Sequence, residues 1–200
     1  MTEQDLEYVR QMYAASDDPW RIADGFYERR KRQVLLACLP QERYASAFEP
    51  ACAAGELSVL LAERCDRLLA ADVAPRAVEL TAARLAGRPG ARAERLAVPQ
   101  DWPAERFDLV VLSEFGYYLP RASWQRLVER AAAALVGDWT VIACHWRSPF
   151  AERLIETDQL HEDLVAGLPG RHAVRLLDED FRLDVLTGRA GTVAERDGRG

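Results

Sequence analysis

Apolar positions along this chain recur in two rhythms, one helical and one extended. Leu6, Val9, Met12 and Tyr13 fall at helical spacing, which predicts an amphipathic helix over residues 3–15, broken by Asp17-Asp18-Pro19. A second helix is predicted over residues 26–39, with Phe26, Val34, Leu35 and Cys38 facing the core and Pro40 ending it. At Tyr44 the character changes. Residues 44–50 form a short apolar run, followed by a tight turn of small residues and a helix over 56–65 with Leu57, Leu60 and Leu61 on one face. Residues 67–72 (RLLAAD) predict a second strand, and Pro75 suits the first turn of a helix running to Leu85. A weaker third strand covers 91–98, and residues 107–113 (FDLVVLS) form a continuous run typical of a strand buried on both faces. Trp124, Leu127, Val128, Ala131 and Leu135 mark the next helix, residues 139–145 (WTVIACH) a fifth strand, and 154–167 a further helix. Residues 172–178 and 181–187 are too close in sequence for a parallel crossover, so they should pair antiparallel.

Alternating strands and helices imply a doubly wound, Rossmann-like α/β fold. The expectation is a mostly parallel seven-stranded sheet with an antiparallel last strand and helices on both faces. Residues 1–43 would form a helical cap over the site, 44–187 the core, and 188–200 a flexible tail rich in glycine and charge. Sheets of this kind bind ligands beyond the carboxyl ends of their strands, near the point where strand order reverses.

Composition narrows the classes. The 200 residues fit one domain with a sizeable core, and 49% hydrophobic with 29% charged residues is ordinary for a globular protein. No stretch approaches the roughly 18 apolar residues of a membrane span. The first ten residues are polar and acidic, unlike a signal or transit peptide, so a cytoplasmic location is expected. The net charge of −6 argues against a nucleic-acid partner. The basic run Arg29-Arg30-Lys31-Arg32 reads as a solvated helix face with one or two functional members. Cys38, Cys52, Cys65 and Cys144 form no CxxC pair, and His145, His161 and His172 show no metal-ligand spacing. No metal is expected, and the thiols read as reduced and mostly buried. Oligomeric state is not encoded in any of these patterns.

The candidate chemistry lies just after the strands. The turn Glu49-Pro50-Ala51-Cys52-Ala53-Ala54-Gly55 is small enough for a ligand to approach its backbone, and the following helix offers free amides to an anion. Tight packing of strand on helix would select the same residues. Asp72 ends the second strand, where an acid can accept hydrogen bonds from the ribose hydroxyls of an adenosine; it is equally placed to cap the following helix. A dinucleotide loop needs G-x-G-x-x-G, whereas here the small positions 51, 53 and 55 lack the third glycine and follow Glu49. That acid would repel a pyrophosphate and suits the amino group of a methionine moiety, which favours S-adenosylmethionine over NAD.

These residues resemble the class I S-adenosylmethionine-dependent methyltransferases, most closely the NodS-like branch. The similarity rests on FEPACAAG (residues 48–55), on Asp72 followed by Pro75, and on WPAERFDLVVLSEFGYYL (102–119). It extends to HWR (145–147), with a looser match at Tyr27 to Lys31. The resemblance implies a cofactor site formed by Glu49, Ala51, Cys52, Ala53, Gly55, Asp72, Val73, Ala97, Val98 and Ser113, with Tyr27 and Arg30 covering the cofactor or meeting its carboxylate. Glu114 and His145 are the candidate bases, although a helix-start carboxylate and a core histidine would look the same. Tyr117, Tyr118, Trp146 and Arg147 would face a small-molecule methyl acceptor, an amine or hydroxyl on a sugar or other metabolite. Two departures stand out. Ala51 replaces the first glycine of the motif, which requires a negative φ there, and Ala97 stands where many relatives carry an acid to the adenine amino group. Adenine recognition would then rest on the backbone at Val98, with weaker cofactor affinity. The competing readings are an O-methyltransferase of another metabolite and a non-catalytic, methyltransferase-like binding domain.

Overall fold

A computed structural model describes residue 9 and residues 11–199. The predicted first helix therefore falls partly outside the described residues; its described part, Val9 and residues 11–15, is helical. Seven strands form one sheet: β1 (Ala47–Pro50), β2 (Leu68–Asp72), β3 (Ala91–Arg95), β4 (Phe107–Ser113), β5 (Leu135–Trp146), β6 (Arg171–Leu177) and β7 (Phe181–Thr187). Their order is β3-β2-β1-β4-β5-β7-β6. The strands β1 to β5 pair parallel, and β7 runs antiparallel to both β5 and β6. Between β1 and β4 the order reverses, so their carboxyl ends diverge into a crevice at the switch point.

The helices are α1 (Phe26–Ala37), α2 (Glu56–Ala62), α3 (Pro75–Leu85), α4 (Arg121–Ala134), α5 (Thr157–Gly167) and α6 (Val193–Arg196). Side-chain alternation along the strands sends each strand's apolar residues into two separate cores. Phe48, Leu69, Val110, Leu112, Val141 and Ala143 pack with Trp124, Leu127 and Val128 of α4 and with Leu160 and Leu164 of α5. Their neighbours Ala47, Leu68, Leu109, Val111 and Ile142 pack on the other face with Leu35 of α1, Leu57 and Leu61 of α2 and Leu85 of α3. Leu109, Val110, Val111 and Leu112 are wholly buried, each burial contributing roughly 1.5–3 kcal/mol. Among the described residues no helix is long and apolar enough to cross a membrane.

Several boundaries differ from the sequence pattern. Tyr44 makes only an isolated bridge to Cys65, so β1 is shorter than predicted. The third strand ends at Arg95, the fifth begins at Leu135, and α5 begins at Thr157 rather than 154. In α1 the buried stripe is Lys31, Arg32 and Leu35, one residue out of phase with Phe26 and Val34, and Phe26 is 73% exposed. The expected core position at Phe26 is therefore corrected. So is the solvated basic face, because Lys31 is only 3% exposed and Arg32 is buried, donating to the carbonyl of Ile22. Beyond β7, Thr192 and Glu195 form a capping box on α6, and Arg196 donates to the Pro40 carbonyl.

Candidate functional site

The turn from β1 into α2 reverses the chain through left-handed residues. Ala51, Ala53 and Gly55 have φ of +58°, +50° and +86°. The expectation of a negative φ at Ala51 is thus overturned: a turn this tight takes left-handed residues, and each alanine there costs roughly 1–2 kcal/mol. Hydrogen bonds offset that strain. The Cys52 amide donates to Ala71 O (2.9 Å), Ala53 N–H to Asp72 Oδ2 (3.0 Å), and Gly55 N–H to Cys52 O (2.9 Å). Thr81 of α3, fully buried, donates its hydroxyl to Ala53 O (2.9 Å) and touches the Cys52 thiol. A Cβ at Gly55 would stand 2.9 Å from Thr81 Oγ1, so glycine is required there by both space and φ.

Two carboxyl groups flank this turn. Glu49 is buried, takes the Ser58 hydroxyl on Oε2, and is pushed up to about 8 by burial and by the charge of Asp72. Asp72 is pushed up to about 6 by burial, although the amides of Ala53 and Ala74 donate to it. A carboxylate has about four acceptor positions, so Asp72 retains capacity for a ribose diol. Above these groups sits Tyr13, buried against Ala74 and Ala77, its hydroxyl without a partner among the described residues.

The part of the crevice at Ala97 and Val98 is sparser. Val98 is buried and Ala97 partly so; the Ala97 amide donates to Asp101 Oδ2 (3.0 Å). A carboxylate thus does stand beside Ala97, supplied from four residues further on rather than from its own position. Trp102 packs edge-on against Phe48 at 5.0 Å, with its indole nitrogen unpartnered among the described residues. The carbonyl of Val73 accepts from Arg95 Nε (3.2 Å).

Across the crevice, β4 ends at Ser113 and the next residue, Glu114, is left-handed at φ +60°. Its side chain is held from three elements. Lys31 Nζ of α1 lies 2.9 Å from Oε1; the Tyr117 hydroxyl and the Trp146 amide (3.3 Å) both donate to Oε2. Burial alone would lower the Lys31 ammonium, but Glu114 and Glu28 outweigh it and hold it above its ordinary value. Lys31 also sits 4.7 Å over the Tyr27 ring, which packs on Phe181; the Tyr27 hydroxyl is buried without a partner among the described residues. Lys31 was not singled out by sequence, because its partner lies on a distant strand end.

His145 does not face the crevice. It is fully buried, and its Nε2 accepts the Gly116 amide (3.3 Å). Its Nδ1 lies 3.1 Å from His161 Nε2, and His161 Nδ1 lies 2.7 Å from Asp184 Oδ2. A carboxylate at one end and an amide donor at the other fix the tautomers: each imidazole donates from Nδ1 and accepts at Nε2. Burial, then the neighbouring His161 and Lys31, push His145 well below its ordinary value, so it is neutral. Asp184 is held far below the carboxylate range: burial would raise it, but His161 and Arg182 outweigh that. The single lone pair at His145 Nε2 is committed to the Gly116 turn.

Of the expected acceptor residues, Tyr117, Tyr118 and Trp146 do come together, around Phe150, with centroid separations of 4.9, 5.5 and 5.8 Å from its ring. Phe150 was missed by sequence, lying in a loop with no periodicity. Arg147 points elsewhere, donating to the Asp178 carbonyl and lining a cavity of about 480 Å³ with Ser148, Glu156, Thr157, Asp158 and Glu179. Arg30 is likewise engaged by Asp178 in the β6–β7 turn, with its guanidinium over Phe181.

A family model for nodulation protein S (NodS) matches residues 2–150. The chain belongs to the NodS family. Nodulation protein S of Rhizobium tropici is 39% identical over 107 residues, 52% of this chain and 44% of that protein. Its counterpart in Bradyrhizobium diazoefficiens is 34% identical over 120 residues, 60% of this chain and 57% of that one. The chain thus spans about half the length of these curated NodS relatives. Among solved structures, a Pseudomonas syringae protein classed as a methyltransferase is 44% identical with a TM-score of 0.73, covering 82% of this chain and 99% of its own. The N-methyltransferase NodS of Bradyrhizobium japonicum WM9, solved with S-adenosyl-L-homocysteine, shares the fold at a TM-score of 0.77 and 24% identity, covering 92% of this chain and 96% of its own. The NodS match takes in β1 to β5 and the loop to Phe150; α5, β6 and β7, which carry His161 and Asp184, lie beyond it.

Proposed function

We propose that this NodS-family chain is an S-adenosylmethionine-dependent methyltransferase acting on an amine or hydroxyl of a small molecule, with nitrogen the preferred acceptor. The observation that carries this reading is the left-handed Ala51–Gly55 turn set between two buried acids, Glu49 and Asp72, at the switch point of the sheet. The donor set fits the cofactor. A protonated Glu49 is ready to ionise against an ammonium, Asp72 has acceptor capacity for a diol, and the nearby Tyr13 hydroxyl lacks a partner among the described residues. The N-methyltransferase activity named for the Bradyrhizobium japonicum relative supports nitrogen as the acceptor.

When bound, the cofactor supplies a methyl group already activated on a sulfonium. The protein then has mainly to align a nucleophile with it, worth up to roughly 7–11 kcal/mol in the best intramolecular cases. In this reading Glu114 orients the acceptor. Lys31, Tyr117 and the Trp146 amide hold its carboxylate, so it offers acceptor oxygens in a fixed position to an N–H. Tyr118, Trp146 and Phe150 form the apolar wall for the acceptor body. His145 serves as a positioning residue, because its free lone pair is used to hold Gly116 and thereby the Glu114 turn.

The test is calorimetry with S-adenosylhomocysteine, followed by methyl transfer from labelled cofactor to a panel of amino sugars and other small amines. Binding in the micromolar range with transfer to amines is expected. No binding at millimolar concentration would overturn the reading.

A further inference from the structure

We infer that Tyr13 is a cofactor-binding residue, its hydroxyl donating to a ribose hydroxyl that Asp72 holds from the other side. The inference rests on the cofactor site proposed above. Tyr13 lies in the helical segment before Asp17-Asp18-Pro19, outside the strand-end motifs, and is 7% exposed. Its ring packs on Ala74 and Ala77, immediately beyond the end of β2, with Val9 and Leu80 alongside and Trp20 edge-on at 5.6 Å. Ala74 is the residue whose amide donates to Asp72 Oδ1, so the ring is seated over the ribose end of the site.

A phenol placed so deeply normally finds a hydrogen-bond partner. The Tyr13 hydroxyl has none among the described residues. Burial, then the charges of Asp72, Cys52 and Asp18, hold its pKa far above the usual value, so it stays a neutral donor. The phenol and the Asp72 carboxylate feel each other electrostatically yet share no hydrogen bond. Asp72 instead accepts from the backbone at Ala53 and Ala74, one amide on each oxygen, which leaves each oxygen a further acceptor position. A hydroxyl between the two would satisfy both, donating to Asp72 and accepting from Tyr13. A ribose carries that group. A helix buttress would need only the ring; the unpaired oxygen is the part that calls for a ligand.

Tyr13→Phe keeps the ring and deletes the oxygen. Calorimetry should compare S-adenosylhomocysteine with its 2′-deoxy and 3′-deoxy analogues on both proteins. The variant should bind S-adenosylhomocysteine roughly five- to tenfold more weakly, the effect of one lost hydrogen bond. It should show no loss relative to wild type on the analogue that lacks the contacted hydroxyl. Its ligand-free melting temperature should match or exceed that of wild type, because an unsatisfied hydroxyl has been removed; a purely structural tyrosine would lower it. Unchanged S-adenosylhomocysteine affinity, or an equal loss on both analogues, would overturn the inference. A wild-type protein that binds none of the three compounds would instead overturn the cofactor reading beneath it.

Discussion

Two turns end the two central strands, and they are built in opposite ways. Both use a left-handed residue that is not glycine, Ala51 after β1 and Glu114 after β4. After β1, no cation stands beside the acids Glu49 and Asp72 among the described residues; burial raises both, and the nearby Tyr13 hydroxyl has no partner among those residues. After β4, Glu114 is tied to Lys31, Tyr117 and the Trp146 backbone, and its neighbour Gly116 is tied to the histidine chain. The first turn is chemically incomplete without a ligand, whereas the second is already cross-linked. In the proposed methyltransferase such a site would divide its labour: one wall would gain its partners on binding, and the other would be held rigid so that an incoming nucleophile meets a fixed geometry.

That contrast can be broken most sharply at Lys31. Lys31→Met leaves Glu28 and Glu114 facing each other without a cation, and should destabilise the protein by about 3 kcal/mol in urea unfolding. A change below about 0.5 kcal/mol, the range of ordinary surface substitutions, would mean that the second turn is not cross-linked as described. Asp72→Asn probes the opposite wall. It should weaken S-adenosylhomocysteine binding by about 2 kcal/mol and lower ligand-free stability by about 1 kcal/mol, because the asparagine amide nitrogen cannot accept from one of the two backbone amides that the carboxylate serves. Unchanged affinity would contradict the picture of an incomplete turn.

Next in size is a pH effect. Glu49 is raised from 4.5 to about 8, so its contribution to ligand-free stability is full below pH 4.5 and is lost as the pH rises through about 8. Cofactor binding has the reverse sign, because an ammonium favours ionised Glu49. Affinity should climb by up to about tenfold per pH unit towards pH 8, with proton release seen by calorimetry in buffers of different ionisation enthalpy. Glu49→Gln should flatten both profiles; a sloping profile in that variant would point to another group. The smallest effect is Ala51→Gly. Relief of the left-handed alanine, partly offset by glycine's greater freedom in the unfolded chain, should stabilise the protein by about 1 kcal/mol in urea unfolding. A destabilised variant would show that the turn is not strained.

The same contrast explains what could be read from sequence. Groups at the first turn are local: Glu49, Ala53, Gly55 and Asp72 sit at strand ends that the apolar runs mark, and β4 announced itself through FDLVVLS. The antiparallel pairing of β6 with β7 follows from their short separation in sequence. At the second turn, Lys31, Glu114 and Trp146 come from α1, the end of β4 and the end of β5, so no spacing rule links them. A run of four basic residues spans more than a full helical turn, which guarantees that some face inward, but composition cannot choose which. The histidine chain was opaque for the same reason, since His145, His161 and Asp184 lie on three elements and only their burial makes them a unit. The sign of φ at Ala51 was also hidden: alanine in a motif position does not say whether the backbone has adapted or been forced.

The left-handed alanines also bear on how the proposed methyltransferase would recover between turnovers. A glycine at position 51 would have many backbone conformations to explore each time a product departs, and the turn would have to be found again before the next cofactor could dock. Alanine has few alternative basins, and Thr81 clamps the carbonyl of Ala53 from the helix behind. The β1 turn is therefore expected to keep its shape through the cycle, and Ala51→Gly should slow association with cofactor even though it stabilises the fold.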